Sequence, residues 1–66
     1  MDKLVLKDNK ERYYKVDNFK RFLNHLLEFH TSNGKANNSI HEENGFYFTV
    51  TSVMLEKVIS FIKKLN

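Results

Sequence analysis

The sequence has no cysteine, no proline, no tryptophan and only two glycines, and each gap excludes a class of protein. Without cysteine, neither a disulfide nor a thiolate metal site can brace the fold. Stability must come from apolar burial, from association, or from a site built of histidine and carboxylate. Two glycines leave no material for a phosphate-cradling loop. Neither G-x-S-x-G nor H-E-x-x-H occurs, so the common signatures of hydrolases and zinc peptidases are missing. No run approaches the ~18 apolar residues of a membrane span, and the apolar run in Met1 to Lys7 is too short for a secretory leader. The expectation is a soluble, cytoplasmic protein. Negative charge is also in short supply: 11 Lys and Arg against 8 Asp and Glu leave a net +3, with a pI near 9.3. That balance excludes a DNA mimic and permits an acidic partner without demanding one.

What is present is aromatic and aliphatic. The 66 residues contain six Phe and three Tyr, enough to build a small core in a single domain, residues 1–66, near the lower size limit for independent folding. Each large ring contributes about 2–3 kcal/mol when fully buried. The richness in Asn, Lys, Ile and Phe reads as coding bias of an AT-rich genome.

The strongest local signal is Asn44-Gly45, between Ile40 and the run Phe46-Tyr47-Phe48-Thr49-Val50, because Asn-Gly between strand-like runs marks a hairpin. Two registers compete. A two-residue turn sets His41 opposite Phe48. A three-residue loop, Glu43-Asn44-Gly45 with a bulge at Gly45, sets Ile40 there instead. Burying Ile40 rather than His41 is favoured by about 1–2 kcal/mol of area, which predicts Ile40, Phe46, Phe48 and Val50 inside and His41 outside. Upstream, Lys3 to Lys7 and Arg12 to Val16 flank the turn-forming Asp8-Asn9-Lys10. An odd-length loop there aligns Leu4 and Leu6 with Tyr14 and Val16 on one face.

Asp17 or Asn18 caps a helix running to about His30, with Phe19, Phe22, Leu23, Leu26, Leu27, Phe29 and His30 on one arc. Thr31 to Asn38 reads as a mobile surface loop in which Asn33 or Gly34 takes the left-handed cap conformation. Thr51 or Ser52 caps a second helix, striped by Leu55, Val58, Ile59, Ile62 and Leu65, with Lys63 and Lys64 suiting its C-terminal dipole. The fold class expected is α+β: ββα-ββα, a small antiparallel sheet of about four strands with both amphipathic helices packed on one face. The stretch Ile40 to Ile62, with hairpin, Asn-Gly turn and terminal helix, is similar to the wing and last helix of small winged-helix excision factors. Upstream, a hairpin and one long helix stand where that family has a helix-turn-helix, and the comparison is not adopted.

Little here has the grammar of catalysis, and no enzyme activity is expected. Glu42-Glu43 is a carboxylate pair, but adjacent strand residues point to opposite faces. His25 and His30, five apart, do not share a helix face as ligands three or four apart do. A zinc site joining His25 or His30 to His41 and Glu42 or Glu43 requires tertiary convergence. The simpler expectation for His30 is a half-buried ring bonded to the following loop, so no cofactor or metal is expected, with His25, His30 and His41 the candidates should zinc bind. The best functional feature is basic-aromatic: Lys10, Arg12, Tyr13, Lys15, Lys20 and Arg21 are the expected partner-binding residues. They suit a protein or nucleoprotein partner, whose interfaces favour Tyr and Arg, or a phosphate backbone with stacked bases. The reading is a non-enzymatic interaction protein that binds and modulates a larger partner. Compact Asn- and Lys-rich chains of this kind are similar to accessory factors and inhibitors from phages and mobile elements. A DNA- or RNA-binding regulator and a His/carboxylate metal protein are the alternatives, and exposed sheet edges leave a homodimer open.

Overall fold

The computed structural model describes residues 3–65, in the order β1 (Leu4–Lys7), β2 (Tyr13–Val16), α1 (Phe19–Phe29), β3 (Thr31–Ser32), β4 (Lys35–Ala36), β5 (Ile40–Glu43), β6 (Phe46–Thr49) and α2 (Ser52–Lys64). The α+β class holds. The expected four-stranded sheet does not form among the described residues; the strands pair as three separate antiparallel hairpins. The unexpected hairpin comes from Asn33-Gly34. Both residues take positive φ, 53° and 79°, and turn the expected surface loop into the short hairpin β3–β4, with Thr31 opposite Ala36. What stands between the first hairpin and β6 is Asn9, which occupies the free edge of β6. Its N–H donates to the Tyr47 carbonyl at 2.7 Å, its amide donates to Thr49 Oγ1 at 2.9 Å, and its side-chain oxygen accepts from the Thr49 N–H at 3.1 Å. A loop thus covers the edge where a further strand would have paired.

The first hairpin has the register its alternation predicts: Leu4 faces Val16 and Leu6 faces Tyr14, with Leu4, Leu6 and Val16 buried. Its loop closes on Asp8. The Asp8 side chain is wholly shielded, accepts from the Arg12 backbone N–H at 2.8 Å, and takes both Arg12 Nε and Nη2 at 3.0 and 2.7 Å. This two-pronged ion pair and the backbone bonds hold the Asp8 carboxyl down at about 2, against the opposing effect of burial. Arg12 also donates to the Gly45 carbonyl at 3.0 Å and lies 4.6 Å over the Phe46 ring, so it clamps the two hairpins together.

In the second hairpin the expected register is overturned. Asn44 and Gly45 form a two-residue turn with φ of 50° and 85°, as type I′ geometry requires. Ile40 pairs with Thr49, His41 with Phe48 and Glu43 with Phe46. Ile40 is 53 % exposed and His41 only 4 %. Area alone argues for Ile40; what offsets it is the hydrogen bond of His41 Nε2 to Glu43 at 2.9 Å and the edge-on packing of the ring against Phe22, which reduce the cost of burying a polar ring.

Both helices begin as their caps predict. The Asn18 side chain accepts from the Arg21 N–H, and that of Thr51 from the Met54 N–H. Phe22 and Leu26 of α1 meet Leu55 and Val58 of α2 in one cluster with Phe48 and Val50, and Phe19 sets its ring edge-on to Phe61 at 5.3 Å. The α1 arc is narrower than its periodicity suggests, since Leu27 and Phe29 are exposed. Among the described residues no helix is long and apolar enough to cross a membrane, and the winged-helix arrangement is absent because a hairpin, not a second helix, follows α1.

Candidate metal centre

The register that buries His41 brings all three histidines together. His41 enters from β5 and packs edge-on against Phe22 at 5.2 Å. His25 comes from the exposed side of α1, as its position in the helical period predicts. His30 arrives by a route that spacing rules do not cover. It is the C-cap of α1, and its φ of −125° and ψ of 20° take it out of the helix. The five-residue interval from His25 excludes a shared face only within a continuous helix, and here the backbone has already turned. The ring centroids stand 4.6 Å (His25 to His41), 5.1 Å (His30 to His41) and 5.6 Å (His25 to His30) apart. One ring nitrogen from each lies within 4.8 Å of the others.

Hydrogen bonds behind the rings decide which nitrogens face inward. The Asn37 side-chain oxygen accepts from the Ser39 N–H at 3.0 Å, so the atom is an acceptor. The Ser39 hydroxyl, 2.5 Å from that same oxygen, must therefore donate to it. Ser39 Oγ is left to accept from His30 Nδ1–H at 2.6 Å, which puts the proton on Nδ1 and a lone pair on Nε2. On the other side, His41 Nε2 stands 2.9 Å from Glu43 Oε1. A carboxylate only accepts, so Nε2 carries the proton and Nδ1 of a neutral His41 carries a lone pair. His30 Nε2 and His41 Nδ1 face each other at 3.3 Å. Two lone pairs at that distance repel unless a proton or a metal ion lies between them.

The geometry suits a metal ion. Two nitrogens bound at about 2.0–2.1 Å to a tetrahedral zinc stand about 3.3 Å apart, which is the separation observed. The outer bonds, imidazole to carboxylate and imidazole to hydroxyl, are those that orient metal-bound histidines and raise their basicity. Burial, reinforced by the neighbouring His41 and His25, holds His30 below the usual histidine range, so it stays in the neutral form that binds metal. The exposed His25 brings the third nitrogen within 4.8 Å of the other two. Three imidazoles and no oxygen donor favour zinc and its first-row neighbours over calcium or magnesium. Neither nearby glutamate closes the fourth position: Glu43 is behind His41, and Glu42 accepts from the Gly45 N–H at 2.7 Å. The centre instead opens on a groove of about 430 Å³, which His25 and His41 border together with Arg21 and the carboxylates of Asp17, Glu42 and Glu43.

The basic residues picked out by sequence are all exposed but do not form one site. Arg12 is engaged with Asp8 and Gly45. Tyr13 and Lys15 lie on the outward face of β2, Tyr13 beneath the Lys7 ammonium at 5.7 Å. Lys10 is in the loop whose N–H groups fold over Asp8. Lys20 and Arg21 start α1, where Arg21 borders the histidine groove. Sequence reasoning missed Asn37 and Ser39. Their signal was the Asn-x-Ser spacing, in which an Asn side chain caps the N–H two residues on. Compared with family models, curated proteins and solved structures, the chain matches none.

Proposed function

We propose that this is a small metal-binding protein in which His25, His30 and His41 hold one zinc-type divalent ion. The observation that carries the reading is the 3.3 Å approach of His30 Nε2 to His41 Nδ1, with the opposite ring nitrogens engaged by Ser39 and Glu43, an arrangement that turns two lone pairs inward. The ion ties the end of α1 to β5 and takes the place of the disulfides this cysteine-free chain cannot form. Its fourth position, facing the groove, is available to water or to a side chain brought by a partner.

Elemental analysis and zinc titration of the purified protein test this directly. One equivalent of zinc per chain, displaced by chelator with a fall in melting temperature, supports the proposal. A chain that takes up no zinc and melts identically with and without chelator sinks it.

A second reading, that the protein binds and modulates a larger partner, draws support from the outward face of the first hairpin. There Val5 and Tyr13, 40 % and 72 % exposed, alternate with Lys7 and Lys15, and exposed Tyr among cations is what interfaces favour. Pull-down with Tyr13→Ala as the control tests it, and recovery unaffected by that substitution counts against it.

A further inference from the structure

We propose that the outer edge of β1 is a docking edge for an acidic peptide segment, taken up as an added strand. This inference is independent of the metal reading.

The backbone supplies the first argument. The Asp8 N–H donates to the Arg12 carbonyl, which makes Asp8 and Arg12 a hydrogen-bonded pair. In an antiparallel ladder such pairs alternate with unbonded ones, so Leu6–Tyr14 and Leu4–Val16 are bonded, while Lys7–Tyr13 and Val5–Lys15 are not. The N–H and C=O groups of Val5 and Lys7 therefore point away from β2. Among the described residues no other backbone group pairs with them. The contrast with β6 is informative, since Asn9 fills that edge.

The second argument is what lies beside the edge. A groove of about 400 Å³ runs between β1 and α2, bordered by Lys3, Leu4, Val5, Lys57, Phe61 and Lys64. Leu4 points to the core and Val5 away from it, and a groove touched by both runs along the strand's edge, not across one face. Lys57, Phe61 and Lys64 are spaced i, i+4, i+7 and form one stripe of α2. The groove thus has an apolar floor and three ammonium groups on its rim, and among the described residues no carboxylate borders it. An extended peptide with Glu at alternate positions and an apolar residue between them matches both features. Its backbone pairs with Val5 and Lys7. Its glutamates lie beside Lys3 and Lys7 on the outer face of the strand, and its apolar side chains turn to the opposite face and rest on Phe61. Lys57 and Lys64 add electrostatic attraction at the rim. A second copy of this chain fits badly, because antiparallel β1–β1 pairing about Val5 sets Lys3 against Lys7.

The test uses the full chain, 15N-labelled, and the probe Ac-Glu-Val-Glu-Val-Glu-NH2. Amide shifts concentrated at Val5, Lys7 and Phe61, saturating below about 1 mM, are expected. The Lys57→Glu/Lys64→Glu double variant, with unchanged melting temperature, should weaken binding at least about tenfold. N-methylation of the peptide's central amide should do the same by removing a strand hydrogen bond. Several results overturn the proposal: no shifts at about 1 mM, shifts centred elsewhere, or equal binding by Ac-Lys-Val-Lys-Val-Lys-NH2 or by the N-methylated peptide. Tighter binding of a single-stranded oligonucleotide at the same amides, or a dimer in sedimentation that buries this edge, would also overturn it.

Discussion

Zinc added to the metal-free protein at a hundredfold excess over its dissociation constant should stabilise the fold by about 2.7 kcal/mol. The folded chain assembles three nitrogens within 4.8 Å, two of them already at bonding separation. The unfolded chain has no such site. For a domain of 66 residues each kcal/mol moves the melting temperature by about 4–8 °C, so the expected rise is about 11–22 °C, read by circular dichroism. His25→Gln isolates the cause. That side chain is exposed, and its loss should change the metal-free stability by no more than about 0.5 kcal/mol. It removes the third nitrogen, so the zinc-induced rise should fall by more than half. Magnesium at the same excess should do far less, because the three convergent donors are imidazole nitrogens and not oxygens. A rise below about 2 °C, or an undiminished rise in His25→Gln, would refute the reasoning about convergent lone pairs.

Further outcomes follow from the same structure. Asp8, held at about 2 in the folded chain against an ordinary value of 3.8, stabilises the fold above pH 3.8; that contribution is lost as pH falls through 2. Asp8→Asn should therefore flatten the acid limb of a melting-temperature against pH curve, and an unchanged limb would deny the pairing with Arg12. Leu26→Ala, at a fully buried position, should cost about 2–5 kcal/mol by urea denaturation. A cost under about 1 kcal/mol would mean the core is not centred there. Gly45→Ala meets no atom within 4 Å, yet Gly45 has a φ of +85°. Its cost, about 1–2 kcal/mol from backbone conformation alone, should appear in the same assay, and a neutral result would contradict the two-residue turn.

The parts of the fold legible in sequence were those governed by local rules. Alternation set the register of β1 and β2, Asn18 and Thr51 marked the helix starts, and Asn44-Gly45 marked a hairpin. The register of that hairpin was not legible, because it depends on partners far along the chain. Hydrophobic area favours Ile40 inside, whereas the Glu43 hydrogen bond and the Phe22 ring make a buried place for His41. The four-stranded sheet failed for a related reason. Asn9 blocks the edge of β6 through its side chain, a tertiary contact 40 residues distant from Thr49. The histidine site was hidden by a rule applied beyond its range, since ligand spacing on a helix says nothing of a residue that caps it. The same Asn-Gly signal stands at Asn33-Gly34, where its place just after α1 gives it the look of a helix cap.

The most direct measurement is the imidazole 15N spectrum of the protein before and after one equivalent of zinc. His30 Nε2, His41 Nδ1 and one nitrogen of His25 should move to metal-bound shifts, while His30 Nδ1 and His41 Nε2 keep their protons. Unmoved imidazole resonances, or a proton found on His30 Nε2 in the zinc-treated protein, would contradict the account.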